Sequence, residues 1–408
     1  MPTAPVDDKG TVLYYEDSGA PPGSTNYITV VLIHGTCFHS GTSPSIVTPL
    51  HTAYSHSALA AVYRPMIPFA AERNLRFVLL NLRDYPGSTP YSADDMEDLH
   101  GSTLERQVRA LQTGGLEIAA FVRWFIETED TPPIREVSGS QALVGGVSVL
   151  AWSGGTCAAV ATFAHADKLP EATRRLFDAH LRSFIMYGAY RVSADPGRAT
   201  HRFHRFEDPS VTVVGEARPP GLGALVRNQA APLDVQVAEF ALTIGSYYPP
   251  FALPDSIDPP PVYDPPRRAV HLSADPVDPK YIPTITKMGP RVLRDVTYPE
   301  VFTESQHLLW ALSYDVYRQN LSRALFDCRF DDGSGILTEV WPALRVHVVW
   351  CDRSPGDVLW ASAVIHVRYK DAEPKHRRSV EFHKLEDANH FVHWEEPEKF
   401  VAFLAGIV

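Results

Sequence analysis

The chain is poor in cysteine, in basic charge and in long apolar runs, and each shortage removes a class of protein. Its 408 residues include four cysteines, Cys37, Cys157, Cys328 and Cys351. These have neither the close pairing of a zinc site nor the spacing of a disulfide-stapled secreted domain. They read as reduced thiols, which makes a cytoplasmic protein the expectation. Acidic residues outnumber basic ones, 48 against 37, for a formal net charge of −11. Nucleic acid and anionic membrane surfaces call for a basic stripe, so both are excluded as partners. No run approaches the ~18 apolar residues of a membrane span. Residues 1–9 have no basic segment and no apolar stretch after them, so they do not read as a secretory signal. Asn320-Leu321-Ser322 matches a glycosylation sequon, but without such a signal it reads as chance.

What is present is a core-forming composition. With 45% hydrophobic and 21% charged residues, the chain can build one large domain that carries an insertion. Continuous apolar runs at residues 28–33, 77–82 and 181–190 suit strands buried on both faces. Further strands are expected at residues 10–15, 345–350 and 380–385. Residues 103–127 carry an apolar stripe at helical spacing, weakened at Gly114-Gly115. Residues 57–74 are expected to be mostly helix, broken or kinked at Pro65 and Pro68.

The segment 146–155 is the most informative. An apolar run, Val147-Ser148-Val149-Leu150, drives into Ala151-Trp152-Ser153-Gly154-Gly155, a serine held between small residues. A turn from a buried strand into a helix is so tight that only small side chains fit two before and two after the serine. The helix expected over 154–166 would aim its N-terminal amides at negative charge developing beside Ser153. Three other segments stand in order around it. The first strand run ends in His34-Gly35-Thr36. The second ends in Arg83-Asp84-Tyr85-Pro86-Gly87-Ser88. The last strand leads through Asn389-His390-Phe391 to Trp394-Glu395-Glu396-Pro397 and a terminal helix.

In these four ordered pieces the chain resembles the α/β-hydrolase family, over nearly its whole length apart from the middle. The departures are Ala151 at the first small position, Gly87 one residue late, and Asn389 where Gly is usual. The resemblance implies an α/β-hydrolase fold, a mostly parallel central sheet with flanking helices and an inserted helical, proline-rich cap. The core is expected at 1–190 and 341–408, and the cap at 191–340. Within the cap, Val237, Phe240, Ala241, Ile244 and Tyr248 suggest one amphipathic helix. Phe302, Ser305, Leu308, Leu309, Leu312 and Val316 suggest a second. Between them, residues 249–290 hold twelve of the chain's 35 prolines and read as an ordered strap over the site, anchored by Phe251, Tyr263 and Tyr281.

The resemblance also implies chemistry. Ser153 would attack a carbonyl carbon, and His390 would take its proton and return it to the leaving group. The backbone amides of Thr36 and Gly154 would hold the oxyanion. His34, Gly35, Cys37 and Trp152 are expected around them, with Cys37, Phe38 and His39 at the pocket wall and Trp152 packed behind the elbow. His393 is the less favoured base. The carboxylate that orients His390 is the weakest assignment, because Ser354 occupies the familiar position after Trp350. Asp352 is preferred, with Asp357 and Asp195 as alternatives. The expected protein is a capped serine hydrolase acting on an ester, lactone or related acyl bond of a small organic molecule. It would need no metal and no cofactor. A carbon–carbon bond hydrolase or lyase on the same triad, and a catalytically silent binding protein, stay open. So does a homo-oligomer.

Overall fold

The computed structural model describes residues 2–41, 61–137, 139–140, 142–189, 231–256, 278–331 and 335–408. Its centre is an eight-stranded sheet of β1 (Thr3–Pro5), β2 (Val12–Asp17), β3 (Ile28–Ile33), β4 (Leu75–Leu80), β5 (Val147–Trp152), β6 (Leu181–Tyr187), β7 (Arg345–Cys351) and β8 (Ser379–Leu385). The spatial order is β1-β2-β4-β3-β5-β6-β7-β8. From β4 through β8 all neighbours run parallel, whereas β2 is antiparallel to both β1 and β4. β4 and β5 are buried along their whole length. That burial explains why their sequences are apolar apart from Arg76 and Ser148 and show no alternation.

Helices cover both faces. They are α1 (Ala93–Leu99), α2 (Leu104–Thr128), α3 (Gly155–Ala164), α4 (Glu171–His180), α5 (Leu233–Ile244), α6 (Thr284–Val296), α7 (Gln306–Ala311), α8 (Tyr314–Leu321), α9 (Gly356–Asp371), α10 (Val392–Glu395) and α11 (Pro397–Ile407). Phe121, Phe125, Val160, Phe163, Leu359 and Val364 pack on one side of the sheet. Tyr63, Met66, Phe391, Val392, Phe400 and Leu404 pack on the other. α2 begins where the sequence suggests, with the Thr103 hydroxyl accepting from Arg106 N at 3.4 Å. Gly115 does not weaken it. A Cβ there would stand 2.6 Å from Thr162 N, so the glycine lets α2 lie close against α3.

Three expectations need correcting. Residues 61–74 hold two 3-10 turns, Arg64–Phe69 and Ala71–Arg73, in place of an α-helix. Pro68 lies inside the first, where a missing N–H breaks an α-helical ladder. The stripe from Phe302 to Val316 is three pieces: a 3-10 turn at Pro299–Phe302, then α7, then α8, which restarts where the Ser313 hydroxyl accepts from Asp315 N. α6 was not read from the sequence at all. It contains Pro290, and Gly289 stands at φ 74 within it, so its two halves are kinked.

The described part of the expected cap is partly merged with the core, since Leu321, Ala324 and Leu325 belong to the core cluster under α2 and α3. Tyr263 lies outside the described residues. On either side of that gap the strap is docked. Phe251 N donates to Asp352 O at 3.1 Å, and the Tyr281 hydroxyl donates to the Asp387 carboxylate at 3.1 Å. No described helix is long and apolar enough to cross a membrane.

Candidate active site

β5 ends in the middle of the sheet, and the chain reverses there into α3. Ser153 sits at the reversal with φ 54, a left-handed conformation that residues with a Cβ rarely adopt. Its amide is held by Tyr187 O at 2.9 Å, and its carbonyl accepts from Thr156 N at 3.1 Å and from the Thr156 hydroxyl at 2.6 Å. The turn is crowded as the sequence pattern requires: a Cβ on Gly35 would stand 2.9 Å from the Ser153 Cβ. This tight turn between a buried parallel strand and a helix has the geometry of a nucleophile elbow. The fold is that of the α/β-hydrolases.

No family model matches the chain, and no curated protein does. Solved structures similar to it include bromoperoxidase from Bacillus anthracis, at 12% identity and a TM-score of 0.44, covering 99% of this chain and 97% of that one. An N-acyl homoserine lactone degrading enzyme is 13% identical with a TM-score of 0.44, and each chain covers 100% of the other. The epoxide hydrolase CorEH is 11% identical with a TM-score of 0.42, covering 97% of this chain and 94% of that one. Each is a likeness only.

Thr36 lies directly against the elbow. A Cβ on Gly154 would meet the Thr36 hydroxyl and stand 3.3 Å from Thr36 N, so the two backbones approach as closely as glycine allows. Neither the Thr36 nor the Gly154 amide donates within the described turns and loops. His34 holds this loop in shape. Its Nε2 accepts from Leu82 N at 3.1 Å, its Nδ1 lies 3.0 Å from Gly35 O, and its ring packs on Tyr85 at 4.0 Å. Burial lowers its pKa to about 4, so it is a neutral structural residue at pH 7.

Cys37 does not line the cavity as expected, whereas Trp152 lies behind the elbow, as expected. Both are fully buried. Cys37, at φ 69, donates its N–H to the Tyr85 hydroxyl at 2.8 Å. Trp152 packs behind the elbow against Phe38 and Phe391, at 5.6 and 5.0 Å between ring centroids. The reason is strand alternation, which sends Leu150 and Trp152 into the core opposite α3. Phe38 and His39 are buried too.

His390 is anchored by its backbone. Its carbonyl accepts from the Trp152 indole at 3.1 Å and from the Tyr187 hydroxyl at 3.0 Å. Its imidazole lies against Gly188, which stands at φ 54; a Cβ there would come within 2.9 Å of Nδ1. Ser153 and His390 therefore flank the same dipeptide, Tyr187-Gly188, at the end of β6. No hydrogen bond joins the Ser153 hydroxyl to His390. Burial lowers the His390 pKa to about 3, so its imidazole is neutral at pH 7. His393 is buried further back, against Trp152 at 4.6 Å, with its Nδ1 3.0 Å from the Tyr187 hydroxyl.

Asp352 caps the tip of β7. Its carboxylate accepts from Ala388 N at 3.4 Å, two residues before His390, and makes no hydrogen bond to the imidazole. Burial raises its pKa. Asp357 is buried in the first turn of α9. Asp195 lies outside the described residues.

A cavity of about 60 Å3 opens beside Thr36 and Gly154, bounded also by Arg83, Glu117, Gln306 and Trp310. The sequence drew attention to Arg83 but not to Glu117, which faces it from α2 at 3.1 Å. Burial raises the Glu117 pKa to about 7 even with Arg83 opposing. The signal was a charged residue on the apolar side of a long helix, next to Ile118.

Proposed function

We propose that the protein is a serine hydrolase that cleaves an ester, lactone or related acyl bond of a small organic molecule. Ser153 Oγ attacks the carbonyl carbon, its proton passes to His390, and the oxyanion is held by Thr36 N and Gly154 N. His390 then protonates the leaving oxygen, and a water repeats the sequence on the acyl-serine to release the acid. The observation that carries this reading is the serine in a left-handed turn with the Thr36 and Gly154 backbones in close approach beside it and a buried imidazole next to the same strand end. Asp352 is assigned as the acid, to be tested against Asp357 and Asp195, because its link to His390 runs through the backbone of Ala388.

One observation favours a silent binding protein: the missing hydrogen bond between Ser153 and His390. Such bonds are often long before substrate arrives and tighten in the reactive complex. A fluorophosphonate probe separates the two readings, since phosphonylation needs an activated serine. Labelling of the native protein at Ser153, absent from Ser153→Ala, supports the hydrolase. An unlabelled Ser153 in folded protein sinks it.

A further inference from the structure

Beyond β6 from the elbow strand, β7 and β8 bring three metal-binding side chains to one face of the sheet. His347 on β7 is in register with Glu381 on β8, and Val349 with His383. Side chains two apart on a strand share a face, so His347, Glu381 and His383 converge although 34 residues of sequence separate the first from the second. His347 Nδ1 lies 3.0 Å from His383 Nε2, and the Glu381 carboxylate lies 4.0 and 3.8 Å from these two nitrogens. A tetrahedral zinc ion with bonds of about 2.0–2.1 Å sets its ligand atoms roughly 3.3 Å apart. The observed triangle reaches that shape with shifts of about half an ångström.

We propose that this is a divalent transition-metal site of the zinc class, with His347 Nδ1, His383 Nε2 and Glu381 as its three protein ligands and a fourth position open to water. Access and rigidity agree with it. The His347 side chain is 0% exposed and fixed in the sheet, while Glu381 is 51% exposed, so an ion can enter from the solvent side. Imidazole plus carboxylate is a donor set that zinc accepts. Burial holds both histidines neutral, the form that can ligate.

The surroundings give the site a brake. Arg345 Nη2 lies 3.4 Å from His347 Nε2 and donates to Ile407 O at 2.5 Å. An arginine can only donate, so His347 Nε2 is the acceptor and Nδ1 carries the proton that points at His383. A metal on Nδ1 moves that proton to Nε2, and Arg345 then turns out to solvent. The guanidinium therefore opposes the ion twice, by charge and by tautomer. The Phe403 ring of α11 lies 5.6 Å from His383, and Ile185 of β6 is in register with His347, so both of these neighbours are apolar. Because β8 is the edge of the sheet, a bound ion would clamp the edge strand to β7.

The test is cobalt(II) or zinc(II) titration of untagged protein, read by calorimetry and by the visible absorption of four-coordinate cobalt. We expect one equivalent bound, an affinity reduced by roughly tenfold or more in His383→Ala with a smaller loss in Glu381→Gln, and tighter binding in Arg345→Ala. His383 and Glu381 are chosen because they reach solvent and their replacement leaves the core filled; circular dichroism checks that. Uptake that is absent, or equal in native protein, His383→Ala and Glu381→Gln, overturns the site.

Discussion

Alanine keeps the L-configuration and the Cβ, so Ser153→Ala removes the hydroxyl while leaving the left-handed turn as it is. Hydrolysis of short activated esters is expected to fall by several orders of magnitude, with an unchanged melting curve, because members of a catalytic triad act as a unit. Turnover near the native value in that variant would remove the hydrolase reading. Gly188 offers a subtler probe. A methyl group at this position meets the His390 imidazole, and φ 54 makes alanine strained there as well. A displacement of about 1 Å can cost roughly 100-fold in rate, so Gly188→Ala should lower kcat on that order while KM moves little. Equal kcat would place His390 outside the reaction. For the acid, the isosteric amide is the discriminating change. Asp352→Asn is expected to lower kcat by up to ~10⁴, and Asp357→Asn and Asp195→Asn far less. If one of the latter is the crippled variant, the assignment passes to that carboxylate.

Among the elements, the last part of the insertion is bound at several carbonyls by one buried side chain, Arg378, just before β8. Arg378 is fully buried, with no carboxylate partner among the described residues. Its guanidinium donates to the carbonyls of Arg323 at 3.1 Å, Val340 at 2.7 Å and Trp341 at 3.2 Å, and to that of Ala324. It closes the end of the turn at Ser322–Phe326 and the chain's return into β7 at once. Burial lowers its pKa to about 10. Lysine has one nitrogen in place of a planar fork and leaves several of these carbonyls without donors, each worth about 1–3 kcal/mol. Arg378→Lys should therefore lower stability by at least about 2 kcal/mol in urea unfolding, with esterase activity per folded molecule retained. A change within experimental error would show the network to be dispensable.

The central strands of the main sheet were legible because burial leaves a nearly continuous apolar run, as in Ile28–Ile33 and Val147–Trp152, whereas the short β1 was not read. The elbow was legible for a related reason: its tightness restricts the positions two before and two after the serine, Ala151 and Gly155. α6 was not, because Gly289-Pro290 interrupts the period on which helix reading depends. The stripe from Phe302 to Val316 misled in the opposite direction, since its apolar spacing continues across two helix ends that only local backbone bonds define. Glu117 and the His347–Glu381–His383 group escaped because their meaning comes from residues distant in sequence.

The whole molecule carries an acid sensitivity that none of its parts shows alone. Five buried histidines, His34, His39, His165, His347 and His390, have pKa values lowered to about 3 or 4. Below about pH 6.5 the unfolded chain protonates at these positions and the folded chain does not. The unfolded state then binds more protons, so stability is complete above pH 6.5 and is lost as the pH falls toward 4. Each group contributes up to about 1.4 kcal/mol per pH unit in that window. Glu117 acts with the opposite sign, because its pKa is raised to about 7 and folding favours its protonated form between about 4.5 and 7. One group does not offset five. The urea midpoint should fall steeply between pH 6.5 and 5; a flat profile would mean that these histidines reach water in the folded state.

The conformation of Ser153 also bears on how such a protein could change over generations. A serine at φ 54 costs of order 1–2 kcal/mol that glycine would not. Ser153→Gly is therefore expected to melt at a higher temperature than the native chain while losing its nucleophile. A copy released from catalysis would find mutation to glycine there both accessible and stabilising. Persistence of serine at this position across descendants would then measure selection for chemistry, independently of any assay for the substrate.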